Sequence, residues 1–579
     1  MSRPHRANRQ AWNPETKSRI VLGITALWML LSPVMARSDE PGAQPAVSPP
    51  SPAPAVAPPV TPASAPAAAA APKPFAVLEY QIEGNTLLRA VDIERAVTPY
   101  LGPEKTIKDI EAARAALEHV YHDRGYKTVL VNIPPQRVAE GVVRLRVVEA
   151  PVGKLRIIGS RYHSLIVIRG KMAQLAPGTV PDFQIVQKEL GDVNRSPDLR
   201  VTPLLRASDT PGQVDVDLQV EDRLPLHYLL EVNDRYSANT PHVREVGELH
   251  YDNLFQSSQS LSVQYQIAAA DPQNSEILSL SYVIPTTSGP VWALYFIHSN
   301  SNVASVGAID VIGKGDIYGL RWIDPLPTDS RDFFHSFTAG LDYKDFGQNV
   351  TTEGSTSTLQ SPVSYLPFTF DYSATWLGEP PGQVASRAAT TYSRSSTSLD
   401  LDMSVLASAL GGDWQEFAHR RAGASGSYLI LHPSLIREQV LPERWSVVGR
   451  IEGQLASGPL INNEQFAAGG ADSVRGYTEA ERLGDDGIHA SLELRSPQLA
   501  GSARVEQSYA LLFVDAARVR TLEPLPDQTA AFSLASTGLG LRYKAGRLYV
   551  ALDGARILKD GAVTQAGRYR GCFRVVYSN

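Results

Sequence analysis

The chain has almost no cysteine: Cys572 is the single one in 579 residues. No intramolecular disulfide can form, and a cysteine-built zinc site is excluded. An excess of one charge sign is also missing. The formal net charge is -6 with 20% charged residues, so no basic field points to nucleic acid and no acidic block marks a solvating tail. Beyond Leu31 no run of about 18 apolar residues occurs, which argues against membrane-crossing helices. A mean hydropathy of -0.15 agrees, but it does not speak against a barrel, in which only alternate residues face lipid. Nucleotide-binding motifs are absent too. The nearest mimic, Gly313-Lys314-Gly315-Asp316-Ile317-Tyr318-Gly319, has the wrong glycine spacing and no helix after it, so it reads as a barrel strand or loop. Gly423-Ala424-Ser425-Gly426 fails as a nucleophile elbow. His119 and His122 share a predicted helix without a third ligand and read as a solvated face. No catalytic constellation, cofactor motif or metal site emerges, and the chain reads as a non-enzyme.

What is present divides the chain into five parts. Basic residues from Arg3 to Arg19, an apolar run Ile20–Leu31 and small residues up to Ala36 make residues 1–36 an export signal. Residues 37–74 are a Pro/Ala-rich linker whose prolines preclude a helix. Residues 75–150 read as strand, two helices and two strands. In the second helix Ile110, Ala113, Leu117, Val120 and Tyr121 share one face, and Gly125 closes it. Residues 151–224 repeat that order of elements, which suggests tandem copies of a small α+β unit. From residue 225 to 579 the period changes to two. Phe368, Phe370, Tyr372, Ala374 and Trp376 alternate with Thr369, Asp371, Ser373 and Thr375, and Leu261, Val263, Tyr265 and Ile267 behave likewise. About 16 such segments occur, each long enough for a tilted spanning strand of roughly 9–11 residues. No convincing helical run interrupts them. Aromatics at segment ends (Phe255, Trp292, Trp322, Phe333, Phe334) suit an interfacial girdle. The expected fold is an all-β transmembrane barrel of about 16 antiparallel strands, closed because lipid tolerates no unpaired edge, preceded by two small α+β domains.

One loop carries further information. Gly469-Gly470, then Val474-Arg475-Gly476-Tyr477, lie between predicted strands near Trp445–Leu455 and Gly487–Arg495. Glycines permit a tight fold-back, and Arg475 offers a permanent planar cation able to hold a carboxylate at two points.

With this loop, the chain resembles the two-partner secretion transporters of the outer membrane, the haemolysin secretion/activation ShlB/FhaC/HecB-type family of the polypeptide-transporting barrel superfamily. The resemblance runs from about Phe75 onward. It includes Gly125-Tyr126, Pro134-Pro135-Gln136, Asn194-Arg195-Ser196-Pro197-Asp198, Val201-Thr202-Pro203-Leu204-Leu205-Arg206, Val220-Glu221-Asp222-Arg223 and Asp252-Asn253-Leu254-Phe255. It implies that the two α+β units are periplasmic POTRA domains and that the barrel sits in the outer membrane of a Gram-negative cell. The partner implied is a large secreted exoprotein, β-helical and unfolded in transit, with membrane lipid and the barrel-assembly machinery as further partners. In this family the loop folds inward and its arginine pairs with an aspartate on the barrel wall, which assigns Arg475 to Asp515. The strand phase supports that assignment imperfectly, since Ala510, Leu512, Val514 and also Leu511, Phe513 are apolar on both faces. Two departures stand out: Ser578-Asn579 follow the alternating Phe573, Val575, Tyr577, and the Pro/Ala tract argues against a pore-plugging N-terminal helix. The main alternative is a barrel-assembly insertase of the same superfamily, which two modules in place of about five disfavour. A substrate-specific porin predicts neither tandem modules nor the Arg-Gly-Tyr loop.

Overall fold

A computed structural model describes residues 74–579 apart from short interruptions, of which the longest are 352–357, 379–394 and 409–413. The export signal at 1–36 and the linker up to residue 73, with any plug helix there, lie outside the described residues.

The first module orders strand β1 (Phe75–Val77), β2 (Glu79–Glu83), helix α1 (Ala90–Val97), β3 (Gly102–Lys105), α2 (Ile107–Asp123), β4 (Val129–Asn132) and β5 (Val142–Glu149). Helix α2 begins where Thr106 and Asp109 cap each other reciprocally. It buries Ile110, Ala113, Leu117 and Tyr121 against the sheet, and it ends before Gly125, whose φ is +97°. The sheet order is β2-β5-β4, with β2 and β5 parallel. The short β1–β3 pair is an addition that the sequence did not announce.

The second module repeats the plan: β6 (Val152–Ile158), α3 (Leu165–Lys171), α4 (Phe183–Val193), β7 (Leu199–Ala207) and β8 (Val214–Asp222). Its sheet order β6-β8-β7, again with the first strand parallel to the central one, reproduces the first module strand for strand. Both cores are largely aliphatic, with Val143, Leu145 and Leu117 around the buried Tyr121 in one and Val216, Leu218, Ile168 and Met172 in the other.

Among the described residues, 16 antiparallel strands then close into a barrel, from the first (Leu226–Asn233) to the last (Tyr569–Ser578). The eighth strand is interrupted: Val363–Tyr365 and Phe368–Leu377 both pair with Phe333–Gly347. Closure runs from Arg574 to Ser578 against Asn233 to Leu229, and the Asn579 side chain continues it, accepting from the Tyr228 amide at 2.8 Å and donating to the Leu226 carbonyl at 3.0 Å. Outward side chains are apolar and lie side by side across strands: Leu294 opposite Leu320, Leu435 opposite Ile451, Leu492 opposite Val514, Leu541 opposite Leu552. All eight are exposed or nearly so, a continuous belt far larger than a soluble monomer tolerates. Trp292 pairs with Trp322, and Phe333 stacks on Trp376 at 5.1 Å, at the rim that carries the second module.

Turns at that rim are mostly short and loops at the far rim longer. One far-rim loop contains a helix, Trp414–Arg420. The expectation of strands alone is corrected there, because seven helical residues are too few to establish a readable period.

Candidate functional site

The loop between the eleventh strand (Ser446–Ala456) and the twelfth (Asp486–Arg495) turns into the barrel. Its two arms pair as a miniature sheet, Phe466–Ala468 with Arg482–Gly484. Gly469 and Gly470, at φ +106° and +117°, reverse the chain beyond it. The tip is Val474-Arg475-Gly476-Tyr477, and all four residues are buried. Gly476 combines φ +93° with an approach so close that a Cβ there would lie 2.8 Å from the Ala555 methyl on the wall. Only glycine meets both conditions.

Arg475 is almost fully enclosed, at 5% exposure, and Asp515 on the thirteenth strand (Val505–Arg520) is at 0%. The guanidinium grips the carboxylate as a fork, Nε to Oδ2 and Nη2 to Oδ1, each at 2.8 Å. The Arg475 backbone amide adds a third bond to Oδ2 at 3.1 Å. Nη1 donates to Glu493 at 2.7 Å, and Ser491 donates to Asp515 Oδ1 at 2.7 Å. One face of the guanidinium lies 3.7 Å above the Phe513 ring centroid. Glu493 also receives two bonds from Arg495 at 2.8 and 2.9 Å. The cluster therefore holds two cations and two anions, so no net charge is left stranded inside the wall.

The phase problem of the thirteenth strand is resolved here. Leu511, Phe513, Asp515, Ala517 and Val519 point inward and are buried, whereas Leu512 and Val514 face outward and are about half exposed, at 48% and 50%. Leu511 and Phe513 are apolar yet inward because the folded-in loop and neighbouring wall cover them, and Phe513 is the arginine's aromatic platform. Neither Phe513 nor the partners Glu493, Ser491 and Arg495 were identified from the sequence. Ser491, Glu493 and Arg495 alternate along one face of their strand, but nothing local in the sequence says that the loop reaches it.

Other bonds pin the loop on both sides of the barrel seam. Tyr477 shares its hydroxyl proton between the carbonyls of Lys559 (2.7 Å) and Ala535 (2.9 Å). Glu481 accepts from Thr478, Val563 and Thr564 amides at 3.0, 3.1 and 2.9 Å. Across the seam, the Glu479 amide donates to Tyr236 at 2.9 Å, and Asp472 pairs with Arg235 at 2.7 Å. At the loop's far end, fully buried Asp485 accepts from Arg421 and from the Leu460 and Leu522 amides.

An apolar cluster occupies the far half of the barrel interior. Ile297, Ile317, Phe346 and Tyr365 from the wall meet Phe417 from the short helix and Leu460 and Ile461 from the inward loop. Lys344 and the Tyr365 hydroxyl both reach Glu464 of that loop, the lysine at 2.6 Å. The far-rim cluster is thus built in part from side chains of the very loop that carries Arg475.

The remaining candidates are placed elsewhere. His119 pairs with Asp123 at 2.7 Å, and His122 contacts the Val129 carbonyl at 3.1 Å, so the two do not converge. Most of the Gly313–Gly319 segment lies in the strand Lys314–Pro325. Asn253, in the Asp252-Asn253-Leu254-Phe255 motif, has φ +78°, and the turn it opens binds the second module: Gln256 accepts from the Ser164 amide at 2.8 Å and donates to the Tyr162 carbonyl at 3.0 Å.

A closed sixteen-strand barrel with an apolar outer belt, an inward loop and an appended α+β module is an outer-membrane β-barrel of the transporter class. Comparison with known proteins narrows the class. Residues 75–150 match the POTRA domain, ShlB-type, and residues 386–543 match the haemolysin secretion/activation protein family ShlB/FhaC/HecB. The outer membrane transporter CdiB of Dickeya dadantii is 22% identical over 436 residues, 72% of each chain. The heme/hemopexin transporter protein HuxB of Haemophilus influenzae is 19% identical over 397 residues, 67% of this chain and 66% of that protein. Among solved structures, CdiB from Escherichia coli superposes with a TM-score of 0.57 at 15% identity, covering 99% of this chain and 100% of its own. BamA from Haemophilus ducreyi lacking POTRA domains 1-3 gives 0.51 at 15% identity, covering 87% of this chain and 100% of its own, a likeness of fold alone. The homologues of this chain are thus ShlB/FhaC-type outer-membrane transporters of two-partner secretion, which sets it apart from the barrel-assembly insertases.

Proposed function

We propose that this transporter carries one large exoprotein, unfolded and β-helical once outside, by feeding it from the modules into the lumen, without enzymatic chemistry. Both α+β units act as POTRA domains on this reading. The open edges of their three-stranded sheets, β2 and β4 in the first and β6 and β7 in the second, offer unpaired backbone groups to an extended chain. Residues 1–36 direct export and 37–74 tether the modules.

The inward loop is the moving part. Arg475 and Asp515 lock it in register, and the observation that supports this is the three-point grip on a fully buried carboxylate. A buried pair of this kind fixes geometry more reliably than it adds stability. The same loop supplies Leu460 and Ile461 to the far-rim apolar cluster, which on this reading is the far-rim seal, so one displacement would release both. Membrane lipid contacts the outer leucine belt, and the barrel-assembly machinery inserts the barrel.

The test is a deletion of the chromosomal copy in the native host. Loss of one large exoprotein from the medium, with periplasmic accumulation and unchanged levels of other outer-membrane proteins, is expected. A general fall in outer-membrane proteins would favour the insertase reading instead.

A further inference from the structure

The joint between the second module and the barrel carries a cluster of histidine and aspartate side chains. Asp198 lies in the turn before β7, His227 on the first barrel strand, and His250 and Asp252 on the second (Arg244–Leu254). His227 and His250 are direct register partners across those two strands. His227 Nε2 lies 2.7 Å from Asp198 Oδ2 and 3.7 Å from Asp252 Oδ2. The three ligand atoms all lie within 4.8 Å of one another. Asp198 is buried and His227 half-buried.

We infer that Asp198, His227 and Asp252 form a Zn2+ site that clamps the second module to the barrel. Tetrahedral zinc ligands at about 2.0–2.1 Å stand roughly 3.3 Å apart, and the separations of 2.7 and 3.7 Å bracket that value. Imidazole nitrogen and carboxylate oxygen are both zinc ligands. Two carboxylates converging with one imidazole nitrogen supply the anionic donors that suit a dication.

An outer shell is in place as well. Asp252 Oδ1 accepts from His250 Nε2 at 2.7 Å and from the Ser260 hydroxyl. Its first oxygen is thereby fixed, and the second points at His227, as oriented metal carboxylates require. The backbone is held too, since Arg223 donates to the Asp198 carbonyl and Asp252 to that of Pro225, at 2.9 and 2.8 Å. The cluster opens to solvent beside Pro197, Tyr228 and Glu248, which gives an ion its entry path.

Calorimetric titration of ZnCl2 into the chelator-stripped full chain in detergent tests this. One saturable ion per chain is expected. D198N and H227A should each weaken uptake by more than about 100-fold, and H250Q, which removes only the orienting group, by about tenfold. D252N, on a different strand, supplies a second ligand loss with the His227–Asp198 contact left in place. Heat-resistant migration of each variant shows that its barrel is folded. Co2+ should give a visible tetrahedral spectrum that Zn2+ bleaches. No saturable uptake, or uptake unchanged in folded H227A and D252N, overturns the site.

Discussion

Removing Arg475 is the most informative perturbation of this protein. In R475A the carboxylate of Asp515 stays buried with only the Ser491 hydroxyl and the residue-475 backbone amide as donors, and Glu493 keeps only Arg495. Stripping one partner from a buried pair costs about 3–5 kcal/mol. At about 1.4 kcal/mol per tenfold, the seated loop loses between two and three-and-a-half orders of magnitude in population against released forms. Two assays read this: secretion of the cognate exoprotein, and chymotrypsin cleavage at Tyr477, which is 1% exposed when the loop is seated. R475A should stop export and admit the protease. R475K, a point charge without the planar fork, should fall between R475A and wild type. The apolar double variant R475M/D515L should regain resistance to unfolding, since no charge is stranded, without regaining export. The reversed pair R475D/D515R should not recover, because Glu493 faces position 475 as well, at 2.7 Å. Normal export by R475A, with Tyr477 still protected, would refute the lock.

Further outcomes follow from other parts of the structure. G476A forces a methyl toward Ala555 at 2.8 Å and a positive φ on alanine; a cost of about 1–3 kcal/mol is expected, read as a lowered heat-resistance midpoint that A555G restores only in part. F417A removes a 1%-exposed ring from the far-rim seal, so single-channel recordings in planar bilayers should show larger or more frequent openings. Asp222 should make the second module acid-sensitive. Burial opposes its ionisation, but amide bonds from Tyr162, Arg161 and His163 outweigh burial and hold the carboxyl below its ordinary range. A depressed folded value means that its stabilisation is present above the unfolded value of about 3.9 and disappears as pH drops below it. Hydrogen-exchange protection of residues 160–163, normalised to intrinsic rates, should therefore hold at pH 5 and fall below about pH 4; in D222N it should be low throughout, with no such step.

The two modules and the barrel strands were legible in the sequence because each rests on a local period. Leu117 and Tyr121 share a face by helical spacing, and Phe370 and Tyr372 by strand alternation, whatever surrounds them. Strand number followed, since closure needs only enough segments of spanning length. The link between Arg475 and Asp515 came from family resemblance, and no spacing rule could have supplied it across 40 positions. What only the tertiary structure decided was which apolar face looks inward. Leu511 and Phe513 are indistinguishable from lipid-facing residues until a loop folds over them. Glu493, Ser491 and Phe513 became partners of one guanidinium for the same reason: the loop is positioned by wall residues far along the chain. The far-rim seal and the Asp198–His227–Asp252 cluster depend likewise on segments that closure of the cylinder brings together, and a sequence read segment by segment holds no record of that meeting.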